Sequence, residues 1–229
     1  MGGPAIALIL STVALTWLGI GGGSPSPDFP ARFATGPAPY PIPAPGSYAL
    51  PPLRDAPDSE VLDETGQARA LSSLLDGKVT LVSFVYLMCG DTDGCPLAIN
   101  TLFEIWHASE QVPELKSQVQ LLTLSFDPAR DTPEALASFA WPIRNDDARA
   151  RKMDWLVLTT ADQAKLAPLL KGFGQPVDRS GDSERLNHLL RMFLVDAQGQ
   201  IRNIYGLGMI DPQLMMTDVA TVLAEAEAR

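Results

Sequence analysis

The two cysteines of the chain, Cys89 and Cys95, lie close together in the stretch LMCGDTDGCPLA. Five residues separate them, whereas two separate the cysteines of a typical dithiol oxidoreductase. The intervening GDTDG sequence is rich in glycine and flexible, so the two sulfur atoms can still meet. A disulfide requires Cα atoms within about 7 Å, and two thiolates that bind one soft metal ion need a similar approach. The pair therefore predicts a redox-active dithiol, a metal site or a structural disulfide.

A metal ion held by two thiolates needs a third ligand, and the chain offers two histidines. His107 falls about three turns into the predicted helix that Cys95 begins, and we expect it to point away from the cysteines. His188 precedes a predicted strand, and in the thioredoxin-like arrangement described below that loop returns beside the cysteine segment. Two thiolates and one imidazole suit copper or zinc. On spacing alone, His188 is either a ligand or an exposed loop histidine.

The stretch that carries the cysteines predicts a strand followed by a helix. Val79–Tyr86 is apolar and rich in β-branched and aromatic residues, which is typical of a strand buried on both faces. Pro96 suits the first turn of a helix, so Cys95 lies at a helix N-terminus, where the dipole favours the thiolate. Junctions of this kind carry the chemistry of α/β folds.

The remaining sequence predicts alternating strands and helices, then a hairpin and a last helix. The order predicts a thioredoxin-like α/β domain, with a central mixed sheet flanked by helices. Predicted strands are Glu60–Leu62, Val79–Tyr86, Val119–Phe126, Trp155–Leu158, Leu190–Val195 and Ile201–Tyr205; predicted helices are Ala68–Leu75, Pro96–Glu110, Thr132 to about Ala140, Ala161–Phe173 and Asp211–Glu227.

The composition divides the chain into residues 1–23, 24–57 and 58–229. The uncharged apolar run Ala5–Ile20 predicts an uncleaved membrane anchor, with a cleaved secretory signal as the alternative, and either one exports the domain. Residues 24–57 hold eleven of the 20 prolines, so we expect an extended, semi-rigid spacer of about 3 Å per residue. A net charge of −10 argues against nucleic acid as a partner.

Three motifs resemble the Sco/SenC family, in the family's order: LVSFVY with GCPLA, TLSFDPARDTPE, and HLLRMFLVDAQGQIRNIYG. The resemblance spans roughly residues 60–229. These are membrane-anchored, thioredoxin-like copper proteins associated with assembling the binuclear copper centre of cytochrome c oxidase. The resemblance implies one copper ion, Cu(I) or Cu(II), per chain, bound by Cys89, Cys95 and His188. It also implies that Asp127 lies near the site.

Several neighbouring residues carry further expectations. We expect Arg130 and Asp131, in the same motif as Asp127, to be structural partners. Met88 either offers a soft thioether to Cu(I) or packs at the end of the strand. The family usually has three residues between its cysteines, so the longer gap loosens preorganisation of the site. The two aspartates that the gap contains, Asp91 and Asp93, are either hard ligands for Cu(II) or solvated loop residues. We expect the polar segment DRSGDSERLN to be mobile, so that His188 swings in when metal is present.

The resemblance favours a copper-binding assembly factor in the bacterial periplasm over two alternatives. The acceptor would be the copper-bearing subunit of the oxidase or another exported copper enzyme, and a copper-donating chaperone would load the protein. One alternative is a thiol–disulfide reductase of the acceptor's cysteines, in which Cys89 and Cys95 are the redox pair and His188 is not needed. The other is a non-enzymatic interaction protein whose Cys89–Cys95 disulfide pins a loop.

Overall fold

The computed structural model describes residues 25–38, 40–89, 94–179 and 187–228. The predicted anchor at Ala5–Ile20 and the two loop aspartates, Asp91 and Asp93, therefore lie outside the described residues. Within the described ranges, no helix is long and apolar enough to cross a membrane.

The described residues contain ten strands, five α-helices and four short 3₁₀ helices. The strands are β1 (Arg54–Asp55), β2 (Glu60–Asp63), β3 (Ala68–Ala70), β4 (Val79–Val85), β5 (Val119–Ser125), β6 (Asp154–Thr159), β7 (Val177–Asp178), β8 (Asn187–His188), β9 (Arg191–Val195) and β10 (Gln200–Gly206). The helices are α1 (Leu71–Leu75), α2 (Cys95–Ala108), α3 (Pro133–Arg144), α4 (Gln163–Phe173) and α5 (Pro212–Glu227).

Eight of the strands form one mixed sheet in the order β1-β10-β9-β4-β5-β6-β2-β3. β4, β5 and β6 run parallel, while β9 pairs antiparallel with β4 and β10 antiparallel with β9. Among the described strands, β7 and β8 pair only with each other, as a separate two-stranded ribbon. The predicted thioredoxin-like arrangement of a central mixed sheet flanked by helices is confirmed.

The sheet has an apolar core on each face, which is why its central strands read as continuous apolar runs. Every residue of β4 and β5 is buried. Because side chains alternate along a strand, Leu81 belongs to the core cluster that contains apolar residues of α2, α3 and α5, and Val82 belongs to the cluster that contains those of α1 and α4. This double coverage fixes the end of β4, where the cysteine segment begins.

One predicted helix is partly wrong. We predicted a helix over Ala68–Leu75, but Ala68–Ala70 is an edge strand that pairs antiparallel with β2, and the helix covers only Leu71–Leu75. The turn before it, which includes Gly66 at φ 81°, brings the chain back along β2 as a hairpin. Hydrogen bonding to the adjacent strand β2 thus decides the conformation of Ala68–Ala70, against the helical pattern of the sequence.

The described part of the proline-rich segment packs on the domain and does not form the predicted extended, semi-rigid spacer. Phe29 and Phe33, in a short 3₁₀ helix, are buried against α5 and α2. The hydroxyl of Tyr48 donates a hydrogen bond to the buried carboxylate of Asp218 in α5. Further on, β1 pairs with β10. Regular structure in this segment is limited to the short 3₁₀ helix and β1, and the aromatic side chains of the segment supply apolar area that docks it on the domain.

Candidate metal centre

Three predicted ligands meet beyond the C-terminal end of the central strand β4. The sulfur atoms of Cys89 and Cys95 and a ring nitrogen of His188 all lie within 4.8 Å of one another. The Sγ atom of Cys95 and the Nε2 atom of His188 are 3.6 Å apart. Among the described residues, this is the one group of three or more Cys, His, Asp or Glu side chains that could hold a metal ion.

The end of β4 and the start of α2 position the two sulfur atoms. After β4 the chain turns, and the N–H of Cys89 donates to the carbonyl of Tyr86 at 3.2 Å. Cys95 is the first residue of α2, so the helix begins one residue earlier than predicted. Cys95 is 1% exposed, whereas Cys89 is only half-buried. One ligand is thus sealed into the core and the other is open to solvent.

Burial dominates the chemistry of the Cys95 thiol. Removal from water raises the pKa of Cys95 well above its ordinary value, and the adjacent Cys89 thiol raises it further, although a backbone hydrogen bond with Tyr86 acts in the opposite direction. We predicted that the helix dipole would favour the thiolate, and this single effect is too weak to offset desolvation. A bound metal ion would reverse the balance, because it deprotonates a coordinating thiol.

His188 lies in strand β8 rather than in the exposed loop that we considered. Its register partner is Val177, and the buried side chain of Gln175 donates from Nε2 to the Leu189 carbonyl at 2.7 Å. The imidazole packs against two aromatic rings, with centroid distances of 5.8 Å to Tyr86 and 4.8 Å to Phe126. These contacts place the ring at the cysteines; the segment expected to be mobile lies largely in residues 180–186, outside the described residues.

The Asp131 carboxylate ties the cysteine turn to the neighbouring strand. Its Oδ2 atom accepts a hydrogen bond from the Ser125 hydroxyl at 2.5 Å and another from the backbone N–H of Leu87 at 3.1 Å. Asp131 is 1% exposed, and burial raises its pKa above the ordinary value. Because Leu87 is two residues before Cys89, this carboxylate positions the turn that carries the exposed thiol.

Asp127 follows Phe126, whose ring contacts the His188 imidazole, and it is outside the group of three ligands. Its buried carboxylate forms ion pairs with Arg130 at 3.1 Å and with Arg179 at 3.9 Å. The Arg179 guanidinium also donates to the backbone carbonyl of Phe126. Arg179 and Gln175 were not predicted, since no motif around either residue distinguishes it.

The other residues considered from the sequence lie outside the cluster. His107 is exposed on the far part of α2, where its Nδ1 lies 3.1 Å from the Lys152 ammonium. Met88 is 71% exposed, so it is not packed at the strand end. Its thioether therefore faces solvent in the turn next to Cys89.

The donor set fits a soft metal ion. Three atoms within 4.8 Å of one another can surround one ion at bond lengths of about 2.0–2.3 Å. Two sulfur atoms and one imidazole nitrogen favour Cu(I) or zinc over hard divalent ions. Both cysteines are free thiols in this structure, so the same pair can also donate two electrons.

The fold and the cluster together define a thioredoxin-like thiol protein with a potential metal centre, and comparison with known proteins narrows the class. The sequence pattern of the SCO1/SenC family matches residues 56–224. A protein from Stutzerimonas stutzeri to which copper binding has been ascribed is 27% identical over 177 residues, covering 72% of this chain and 79% of that protein. This chain therefore belongs to the SCO1/SenC family.

Solved structures agree on the fold. A SCO1/SenC family lipoprotein from Bacillus anthracis has a TM-score of 0.61 at 23% identity, over 76% of this chain and 97% of that chain. Yeast Sco1 with copper bound has a TM-score of 0.58 at 20% identity, over 78% of this chain and 95% of that chain. Copper is thus found on this fold in a member of the family.

Proposed function

We propose that this protein is an exported copper-binding protein that delivers copper during assembly of the binuclear copper site of cytochrome c oxidase. The observation that carries the proposal is the convergence of the Cys89, Cys95 and His188 ligand atoms within 4.8 Å. Membership of the SCO1/SenC family and the copper bound by yeast Sco1 support the choice of metal. Each chain would hold one copper ion.

The unequal exposure of the two thiols suits transfer by ligand exchange. Thiolates are soft ligands and select Cu(I). Cys95, sealed in the core, would retain the ion longest, whereas Cys89 is half-buried and open to an incoming ligand. Of the two thiolates, Cys89 would be displaced first, by a thiolate of the acceptor, and Cys95 would follow. The exposed thioether of Met88 lies beside this route and would offer Cu(I) a weak ligand on entry.

In this proposal the domain that carries the site lies in the bacterial periplasm. The apolar run Ala5–Ile20 would hold the protein at the inner membrane of a bacterium, with the domain in the periplasm; cleavage of that run would leave the domain free in the periplasm. The acceptor is the copper-bearing oxidase subunit or another exported copper enzyme, and a copper-donating chaperone would load the protein.

A Cu(I) titration of the reduced full-length chain tests this function. We expect one copper ion per chain, and loss of tight binding in Cys89→Ser, Cys95→Ser and His188→Ala. The matched control is His107→Ala, which removes the other histidine and should bind as the parent does. Undiminished binding by His188→Ala would show that the ligand assignment is wrong. Absence of binding by the parent would refute the proposed function.

The free thiols also favour a second function, thiol–disulfide reduction. The Cys89 thiolate would attack a disulfide of the acceptor and form a mixed disulfide; the Cys95 thiolate would then break it, leaving a Cys89–Cys95 disulfide and a reduced acceptor dithiol. Turnover would need an external dithiol reductant. His188→Ala should spare this reaction, which distinguishes it from copper binding. A purely structural disulfide predicts instead that Cys89→Ser mainly lowers Tm.

A further inference from the structure

The position of His188 depends on a ribbon that is not part of the main sheet. Strands β7 and β8 pair with each other, through Val177 with His188 and Asp178 with Asn187, and with no other strand in the part of the chain that the structure describes. By contrast, the cysteine turn follows a strand that is buried between two neighbours. The distance between imidazole and thiols is therefore set by whatever holds this ribbon against the domain.

The ribbon is held at both ends. At the end nearest α4, Gln175 is 3% exposed and donates to the carbonyl of Leu189, the residue after His188. At the other end, Arg179 donates to the Phe126 carbonyl and pairs with the Asp127 carboxylate at 3.9 Å. Phe126 is also the residue whose ring packs on the imidazole at 4.8 Å. Arg179 thus fastens the ribbon to the same residue that His188 contacts.

The ion pair between Arg179 and Asp127 can break without leaving Asp127 unpaired. Asp127 is 4% exposed, and a buried carboxylate left without a cation is strongly destabilising. Asp127 has a second cation, Arg130, three residues further along its own loop and 3.1 Å away. When Arg179 moves away, Arg130 still balances the charge of the Asp127 carboxylate. Release of the ribbon therefore does not leave a buried carboxylate without a cation. The side chain of Arg179 is one-third exposed, so its guanidinium can also exchange its protein partners for water.

We infer that Arg179 is a positioning residue that holds His188 at the cysteine pair and sets how readily the imidazole leaves copper. This inference rests on the proposed function. With Arg179 in place, the imidazole is presented to the ion and copper is retained. With Arg179 released, His188 withdraws with the ribbon, and two thiolates remain to be displaced by the acceptor.

The test compares Arg179→Gln with a matched control, Arg130→Gln, in the full-length chain. Both changes remove one cation from Asp127, but only the first loosens the ribbon. In the metal-free reduced protein, we expect hydrogen exchange of the β7 and β8 amides to rise about tenfold in Arg179→Gln, the change expected from losing one charge-assisted hydrogen bond. We expect no such rise in Arg130→Gln, and an intermediate one in Arg179→Lys, which keeps the charge but loses the forked donor.

Copper gives the second readout. We expect Arg179→Gln to bind one Cu(I) about tenfold more weakly than the parent, with an unchanged Tm, and its Cu(II) form to show a weaker nitrogen hyperfine signal in electron paramagnetic resonance. Equal effects of Arg179→Gln and Arg130→Gln would overturn the inference, because charge balance at Asp127 would then explain both. Unchanged exchange in Arg179→Gln would also overturn it. The exchange measurement needs no copper, so it decides the inference even if the parent protein binds none and the proposed function fails.

Discussion

The Sγ atom of Cys95 lies 3.6 Å from the Nε2 atom of His188, although 93 positions separate the two residues. Cys95 is fixed at the first position of α2, and His188 reaches it from a two-residue strand outside the main sheet. Cys89 completes the group from a solvent-facing turn. The group thus combines a buried thiol, a half-buried thiol and an imidazole on a ribbon outside the main sheet, which is consistent with the proposed release of copper.

The two thiols should differ in reactivity. Cys95 is 1% exposed and its pKa is raised by burial, whereas Cys89 is half-buried. We expect iodoacetamide to modify Cys89 at least about tenfold faster than Cys95 in the metal-free reduced protein, as followed by mass spectrometry at pH 8. In the urea-unfolded chain the two rates should converge. Equal rates in the folded protein would contradict the burial of Cys95.

Copper affinity should increase with pH. The raised pKa of Cys95 keeps its thiol protonated through the neutral range, so a metal ion must displace that proton in order to bind. Loss of the Cys95 proton alone makes the apparent Cu(I) affinity rise by about tenfold for each unit of pH below that pKa, and any proton that Cys89 releases on binding adds to this slope. Competition with a chelator of known pH dependence, between pH 6 and 8, measures the slope. A flat profile would mean that Cys95 is not a thiolate in the complex.

Two replacements of Asp131 should distinguish the contribution of its hydrogen bonds to stability from the contribution of its charge. The raised pKa of Asp131 means that its stabilising contribution is present at low pH and is lost as the pH rises through the folded-state value. Asp131→Asn keeps an acceptor oxygen for Leu87 and Ser125 without a charge, so we expect the free energy of unfolding to change by less than about 1 kcal/mol and to lose that pH dependence.

The contrasting variant is Asp131→Ala. It leaves the buried donors of Leu87 and Ser125 without their acceptor, and we expect it to lower the free energy of unfolding by about 2–3 kcal/mol. Urea denaturation of both variants at pH 4 and pH 7 measures these effects. Equal stability of the two variants would show that the carboxylate does not hold the cysteine turn.

The proline-rich segment should contribute to stability. Phe33 is 2% exposed, so Phe33→Ala should lower the free energy of unfolding by about 3–5 kcal/mol through the cavity that it leaves. Leu53→Ala in the same segment is the matched control, since Leu53 is 53% exposed and should change stability by less than about 0.5 kcal/mol. If the two changes cost the same in thermal or urea unfolding, the segment does not dock on the domain.

Sequence reasoning succeeded where a pattern reports directly on burial. The apolar run that became β4 predicts a strand covered on both faces, and the family motifs identified the fold and the three residues that converge. It failed where tertiary contacts decide. Proline content predicts an extended spacer, yet two phenylalanines dock that segment on α5 and α2. Arg179 carries no sequence signal, because its importance depends on Phe126 and Asp127, which are distant in the chain.

X-ray absorption spectroscopy at the copper edge of the Cu(I)-loaded protein tests the central claim most directly. The account predicts two sulfur scatterers and one nitrogen scatterer in the first coordination shell, with the nitrogen contribution lost in His188→Ala and retained in His107→Ala. A shell that lacks sulfur, or one that is unchanged by His188→Ala, would contradict a site formed by Cys89, Cys95 and His188.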